Sequence, residues 1–284
     1  MKPAPFAYHR AESAAHAVAL LARFAPEGGR VLAGGQSLVP LMAFRLAEPK
    51  HLIDINRVSD FGALRTEAGA FVIPATARHA AIAAAAPLPL GGLLARVAAH
   101  IAHLPIRARG TFCGSLAHAD PAAEWPLVFV TLGGEARARS EAGERRIEAA
   151  AWCRGIMVTA LAENELLTEA RLPLPAPGTR LGFAEISRRA GDYAMAMALV
   201  SLEISHGVIR APRIGVGGAE PVPRRIEAAE AALEGAEPTE PSFRRAADTA
   251  AEAIAPMEDV QVSAALRRDL VRAMVRRALR DARP

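Results

Sequence analysis

Cysteine is almost absent. Cys113 and Cys153 are the only two in 284 residues, whereas an iron–sulfur cluster takes about four cysteine ligands and a closed zinc site needs Cys and His at fixed spacing. Neither group is expected on this chain. Aromatic residues make up 5%, which removes the stacking platforms that hold single-stranded nucleic acid. The charge excess is only +4 at pH 7 and no stripe of Lys and Arg collects it, so no nucleic-acid partner is expected. No apolar run approaches the roughly 20 residues of a membrane helix. The opening MKPAPFAYHRAES lacks the apolar core of a secretion signal. These absences lead to the expectation of a soluble, cytoplasmic chain. G-x-G-x-x-G, the phosphate loop ending Gly-Lys-Ser/Thr and the G-x-S-x-G elbow are missing too, which excludes ordinary Rossmann, nucleotide-hydrolase and serine-hydrolase readings.

What is present is an ordinary globular composition, 51% hydrophobic and 23% charged, in a length that suits two cores. RVLAGGQSLVPLM (30–42) reads as strand, glycine turn and helix, with Ser37 as N-cap and Pro40 in the first turn. Such a turn bares backbone N–H groups, which suits a phosphate. HLIDI (51–55) adds a strand and completes a small α/β unit. A second glycine turn, TFCGS (111–115), follows a helix over 93–104. Two such turns in adjacent units point to one bound diphosphate more strongly than either alone.

In SLAHADPAAE, His118, Asp120 and Glu124 form a metal pattern on paper. Asp120 reads better as an N-cap with Pro121 at the first helical position, leaving Glu124 to accept hydroxyl hydrogen bonds from a sugar. His100 and His103 read as polar flanks of an apolar helix face, and no metal is expected. Cys113 is either a thiol activated by its turn or a small residue tolerated there. Pro173, Pro175, Pro177 and Gly178 mark the domain boundary. Antiparallel strands follow, then helices from Arg225 onward. The last helix sets Arg268, Arg272 and Arg276 on a solvated basic face, and Arg188, Arg189 and Asp192 read as a surface ion network.

Four segments in order, AGGQSLVPLMAFRLAEPKHLIDI, IRARGTFCGSLAHADPAAEWP, ENELLTEARLPLP and SRRAGDYAMA, resemble the FAD-binding medium subunit of the molybdenum hydroxylases. That is the family of aerobic carbon monoxide dehydrogenase and xanthine dehydrogenase-type enzymes. The resemblance implies an α+β fold. A two-subdomain FAD-binding domain of the vanillyl-alcohol oxidase/PCMH type would span 1–175, with subdomains at about 1–57 and 58–175. A C-terminal domain, a three-stranded antiparallel sheet with helices, would span 178–284.

It also implies that Ala33, Gly34, Gly35, Gln36 and Ser37 hold the pyrophosphate of non-covalent FAD from one side, and Thr111, Cys113, Gly114 and Ser115 from the other. His118, Asp120 and Glu124 would face the phosphate, ribityl and ribose region. Leu167 would give backbone contacts to the isoalloxazine, and Tyr193 would lie near its exposed face. The implied role is an oxidoreductase flavoprotein subunit in a hetero-oligomer. Molybdenum cofactor would sit on a large partner subunit and [2Fe-2S] clusters on a small one, with NAD, oxygen or a quinone as external electron acceptor.

One residue departs from the family pattern T-I-G-G-N/S: Cys113 replaces a glycine. If that position needs φ > 0, the side chain costs about 1 kcal/mol and weakens FAD binding. Two other classes stay open, a stand-alone FAD oxidoreductase and a flavin-free assembly subunit, the latter supported by Cys113 alone.

Overall fold

The N-terminal stretch of the computed structural model, which describes residues 2–85 and 90–283, is a parallel sheet. It contains β1 (Ala7–Arg10), β2 (Gly29–Leu32) and β3 (His51–Asp54) in the order β1-β3-β2. Helix α1 (Ala14–Phe24) crosses from β1 to β2. The Ser13 hydroxyl caps it by accepting from the His16 N–H at 3.0 Å. Ala14, Ala17, Val18, Leu21 and Phe24 recur at helical spacing and bury one face. Helix α2 (Leu38–Ala43) joins β2 to β3 and is only six residues long. It ends before Arg45, which takes a left-handed φ of 56°.

The middle of the chain builds a five-stranded sheet in the order β4-β5-β10-β6-β7. Its strands are β4 (Arg65–Glu67), β5 (Ala70–Pro74), β6 (Glu135–Ser140), β7 (Gly143–Glu148) and, after the short β8 (Cys153–Gly155) and β9 (Val158–Thr159) ribbon, β10 (Leu166–Pro173). Between β5 and β6 run α3 (His79–Ala84), α4 (Gly91–His100), α5 (Leu104–Arg107), α6 (Phe112–His118) and α7 (Glu124–Leu132). Helix α7 is buried on nearly every side and is accordingly apolar all round. Its start corrects the expectation for Asp120 and Pro121. Asp120 Oδ1 instead accepts from the Ala122 N–H at 2.9 Å, and its carbonyl accepts from the Ala123 N–H at 3.0 Å. The aspartate closes its own turn, and the helix begins at Glu124 with no side-chain cap.

Beyond the proline connector, β11 (Arg180–Ser187), β12 (Ala194–Ser205) and β13 (Val208–Gly217) form a three-strand antiparallel meander, with a two-residue β14 (Arg224–Arg225) at its edge. Helices α8 (Glu227–Leu233), α9 (Glu240–Ala253) and α10 (Ala264–Asp281) cover one face. The basic face of α10 is not simply solvated: Arg272 bonds Asp248 of α9 at 2.8 Å, Arg276 pairs with Glu240, and Arg268 donates to the Ala251 carbonyl at 3.1 Å. On the other face, Phe183, Met197 and Leu199 share one apolar core with Trp125, Leu127 and Trp152. Helix α4 also packs on β11.

Candidate functional site

A cleft of about 560 Å³ lies where these parts meet, and all fourteen site residues expected from the sequence line it. The first glycine turn forms one wall. Gly35 has φ +73°, a conformation that favours glycine. Among the described residues, the N–H groups of Gly34, Gly35, Gln36 and Ser37 donate no hydrogen bond within the chain. Ser37 is not the side-chain cap it was expected to be. The glycine pair has already turned the chain into helical geometry, so Ser37 has φ −100° and ψ −48° rather than the extended form a cap needs. Its hydroxyl is left to the cleft.

The second turn supplies the opposite wall. Thr111 caps α6, its hydroxyl accepting from the Gly114 N–H at 3.0 Å. Cys113 lies inside that helix and takes no positive φ, so the strain expected of a side chain there does not arise. Its Sγ turns into the core toward the Ile73 carbonyl at 3.5 Å. Burial pushes the thiol pKa far up, which removes the activated-thiol reading. A Cβ on Gly114 would stand 2.6 Å from Thr111 Oγ1, and one on Gly34 would overlap the Arg109 carbonyl and lie 2.6 Å from Gly110 Cα. The two turns touch at Gly34.

A hydrogen-bonded truss that sequence reading missed fixes that contact. Asn56 Nδ2 donates to the Ala33 carbonyl at 2.8 Å. Arg78 Nη2 donates to Asn56 Oδ1 at 2.5 Å, and Arg78 Nη1 donates to the Arg109 carbonyl. Asn56→Ala cuts both links, so it is expected to lower stability by about 1–3 kcal/mol, read as a shifted urea midpoint.

His118, Asp120 and Glu124 line the floor, Leu167 stands on β10, and Tyr193 is 69% exposed at the rim. Ile101, Ala102, Ile106 and Leu161 also line the cleft; nothing in their local pattern marked them. Glu124 is only 8% exposed. Burial, then the charge of Asp120, pushes its pKa up to about 7. The expected ion network of Arg188, Arg189 and Asp192 does not form. Among the described residues no salt bridge joins them, and a turn closes instead through the Asp192 N–H on the Arg189 carbonyl at 3.0 Å. Among the described residues, no group of three or more His, Cys, Asp or Glu is placed to hold a metal, and no helix is long and apolar enough to cross a membrane.

Residues 4–175 match the family described as the FAD binding domain in molybdopterin dehydrogenase. Residues 182–282 match the carbon monoxide dehydrogenase flavoprotein C-terminal domain. The chain is 37% identical to the nicotine 6-hydroxylase medium subunit of Paenarthrobacter nicotinovorans, with 90% of each chain covered. It is 36% identical to the carbon monoxide dehydrogenase medium chain of Afipia carboxidovorans, over 100% of this chain and 98% of that one. Among solved structures it is similar to carbon monoxide dehydrogenase from Hydrogenophaga pseudoflava, with TM-score 0.95, 36% identity and coverage of 99% and 98%. It is likewise similar to quinoline 2-oxidoreductase from Pseudomonas putida 86, with TM-score 0.94, 35% identity and coverage of 99% and 98%.

Proposed function

We propose a function from one premise: the chain belongs to the FAD-binding medium subunits of the molybdenum hydroxylases and is an oxidoreductase flavoprotein subunit. On that premise, residues 1–175 are read as the FAD-binding domain and 178–284 as the C-terminal domain. The observation that carries the site assignment is the run of unpartnered N–H groups from Gly34 to Ser37, held against the second glycine turn in one cleft. Backbone donors set around a small-residue turn suit a diphosphate. The Ala33–Ser37 turn therefore holds the pyrophosphate on one side, and Thr111, Gly114, Ser115 and the backbone of Cys113 on the other. His118, Asp120 and Glu124 orient the ribityl and ribose hydroxyls. Leu167 and Tyr193 border the ring, and Tyr193 restricts access from solvent.

Bound there, FAD supplies the exchange between one-electron and two-electron carriers, while the protein supplies position and electrostatics. The electrons come from iron–sulfur clusters on a small partner subunit, ahead of which a molybdenum centre on a large subunit oxidises the substrate. With two cysteines this chain has too few ligands for a cluster of its own. An external acceptor, NAD, oxygen or a quinone, removes the electrons.

Titration of the full chain with FAD tests the reading. Stoichiometric binding with changed flavin fluorescence, and complete release of flavin on acid precipitation, is expected. Failure to retain FAD both alone and with the partner subunits overturns it.

A further inference from the structure

His79 is a buried imidazole with one nitrogen left over. It opens α3 and lines the cleft, although only 6% of the residue is exposed. Its backbone N–H donates to the Gly110 carbonyl at 2.9 Å, which ties it to the second glycine turn. Its Nδ1 stands 2.9 Å from the indole Nε1 of Trp125, a fully buried residue. An indole N–H can only donate. Nδ1 therefore holds the lone pair, and the neutral ring carries its proton on Nε2.

Among the described residues that Nε2–H donates to nothing within the chain, the contact with Trp125 being the only hydrogen bond of the ring. The side-chain atoms that are both sealed and unpartnered belong to Arg137, Glu185 and Arg267. His79 Nε2 is thus unpartnered without being sealed, and the space its ring borders is the cleft. Gly110 fixes where in the cleft it lies. A Cβ on Gly110 would stand 2.5 Å from His79 Nε2, and a Cβ on Gly34 would stand 2.6 Å from Gly110 Cα. The donor therefore adjoins the point where the two turns meet, beside the unpartnered N–H groups of Gly34 to Ser37. A nearly buried N–H without an acceptor is costly, and a ring held in one tautomer is a donor of fixed direction.

We propose that His79 is a further FAD-binding residue, its Nε2–H donating to an oxygen of the diphosphate between the two glycine turns. The proposal rests on FAD occupying this cleft. Trp125 sets which nitrogen carries the proton, and the backbone bond to Gly110 sets where the ring stands. Burial, then the charges of Arg78 and Arg107, hold the imidazole pKa at about 4. The donor is therefore a neutral N–H at neutral pH and not a cation. Both guanidiniums are already engaged, Arg78 by Asn56 and the Arg109 carbonyl, Arg107 by the Ile101 and Ala102 carbonyls. His79 thus adds a side-chain donor to a site otherwise built from backbone N–H groups.

Nitrogen–proton NMR of the full chain, with its histidines labelled with nitrogen-15, tests this at pH 7. The His79 ring is the one missing from the spectrum of His79→Gln. Without FAD it is expected to show a neutral imidazole protonated on Nε2; a proton on Nδ1, or on both nitrogens, overturns the proposal. On saturation with FAD the Nε2–H signal is expected to move downfield and to exchange more slowly with water. A signal that stays in place while FAD is bound overturns the proposal alone, whereas a chain that takes up no FAD, by itself or with the partner subunits, overturns the functional reading with it. Affinity supplies the second arm. His79→Phe keeps a ring but donates nothing, and is expected to raise the FAD dissociation constant by about tenfold or more, measured by equilibrium dialysis on chain shown to be folded by urea unfolding. His79→Gln has an amide that can accept from Trp125 and donate to the cleft, and is expected to recover most of that loss. His79→Phe as tight as the wild type, or His79→Gln as weak as His79→Phe, overturns the assignment.

Discussion

Gly34→Ala is expected to raise the dissociation constant for FAD by about a hundredfold or more, equivalent to about 2.7 kcal/mol. The added methyl group would overlap the Arg109 carbonyl and sit 2.6 Å from Gly110 Cα. Both obstacles are backbone, so no rotamer change relieves them, and the second turn is already tied to the first through Arg78 and Asn56. Relief requires the two turns to separate, which widens the span between the donors of Gly34–Ser37 and those of α6. Overpacking of this kind also costs about 1–3 kcal/mol of stability. Gly35→Ala is the milder neighbour. Its φ of +73° costs a side chain about 1 kcal/mol, but its Cβ would meet only the Leu32 and Val39 methyl groups at 3.2 Å, which can shift. Equilibrium dialysis of FAD beside urea unfolding separates binding from folding. Full FAD retention by Gly34→Ala would refute the placement of a diphosphate between the turns.

The difference between these two glycines shows what the sequence could carry. RVLAGGQSL announced a strand, a turn and a helix because each signal is local: an apolar run, a glycine pair, then leucines at helical spacing. Which glycine touches the other turn depends on Arg109 and Gly110, far along the chain, and no local pattern encodes that. The same holds for Asn56 and Arg78, ordinary polar residues until the fold sets them between the two turns. Strand β1 was invisible for a different reason. It is an exposed edge strand of four residues, AYHR, too short and too polar for an alternating pattern to show, and it pairs with the parallel edge of β3. At Cys113 the motif pattern misled, since the position that was read as a turn is the first turn of α6, where any small side chain fits. Local caps were only half legible: Thr111 and Asp120 both have short oxygen side chains ahead of a helix, yet one caps its helix and the other closes a turn.

Stability is expected to depend on pH through opposed groups, and Glu185→Gln should expose the larger part of that dependence. His79 is 6% exposed, and its Nδ1 accepts from Trp125 Nε1 at 2.9 Å. Burial, then the charges of Arg78 and Arg107, lowers its pKa from 6.5 to about 4. Above 6.5 both the folded and the unfolded chain hold it neutral. Below that value only the unfolded chain takes the proton, so its contribution is lost as pH falls, by about 3 kcal/mol by the time pH 4 is reached. Glu124 and Glu185 act in the other sense. Their folded pKa values, about 7 and about 8, lie above the unfolded 4.5. What they contribute is therefore present below 4.5 and lost as pH rises through 7 and 8. Between 4.5 and 6.5 the histidine offsets one of the two carboxyl slopes, and above 6.5 both carboxyl slopes act unopposed until pH reaches 7 and 8. Glu185→Gln removes one of those carboxyls while keeping its shape. The stability of this variant relative to the wild type is expected to grow from pH 4.5 to about 8 by up to a few kcal/mol and then level off, as read from urea unfolding at a series of pH values. A difference that stays constant across that range would mean that Glu185 ionises as freely in the fold as outside it. A gain in stability on removing a native side chain, by contrast, marks a residue kept for something other than folding.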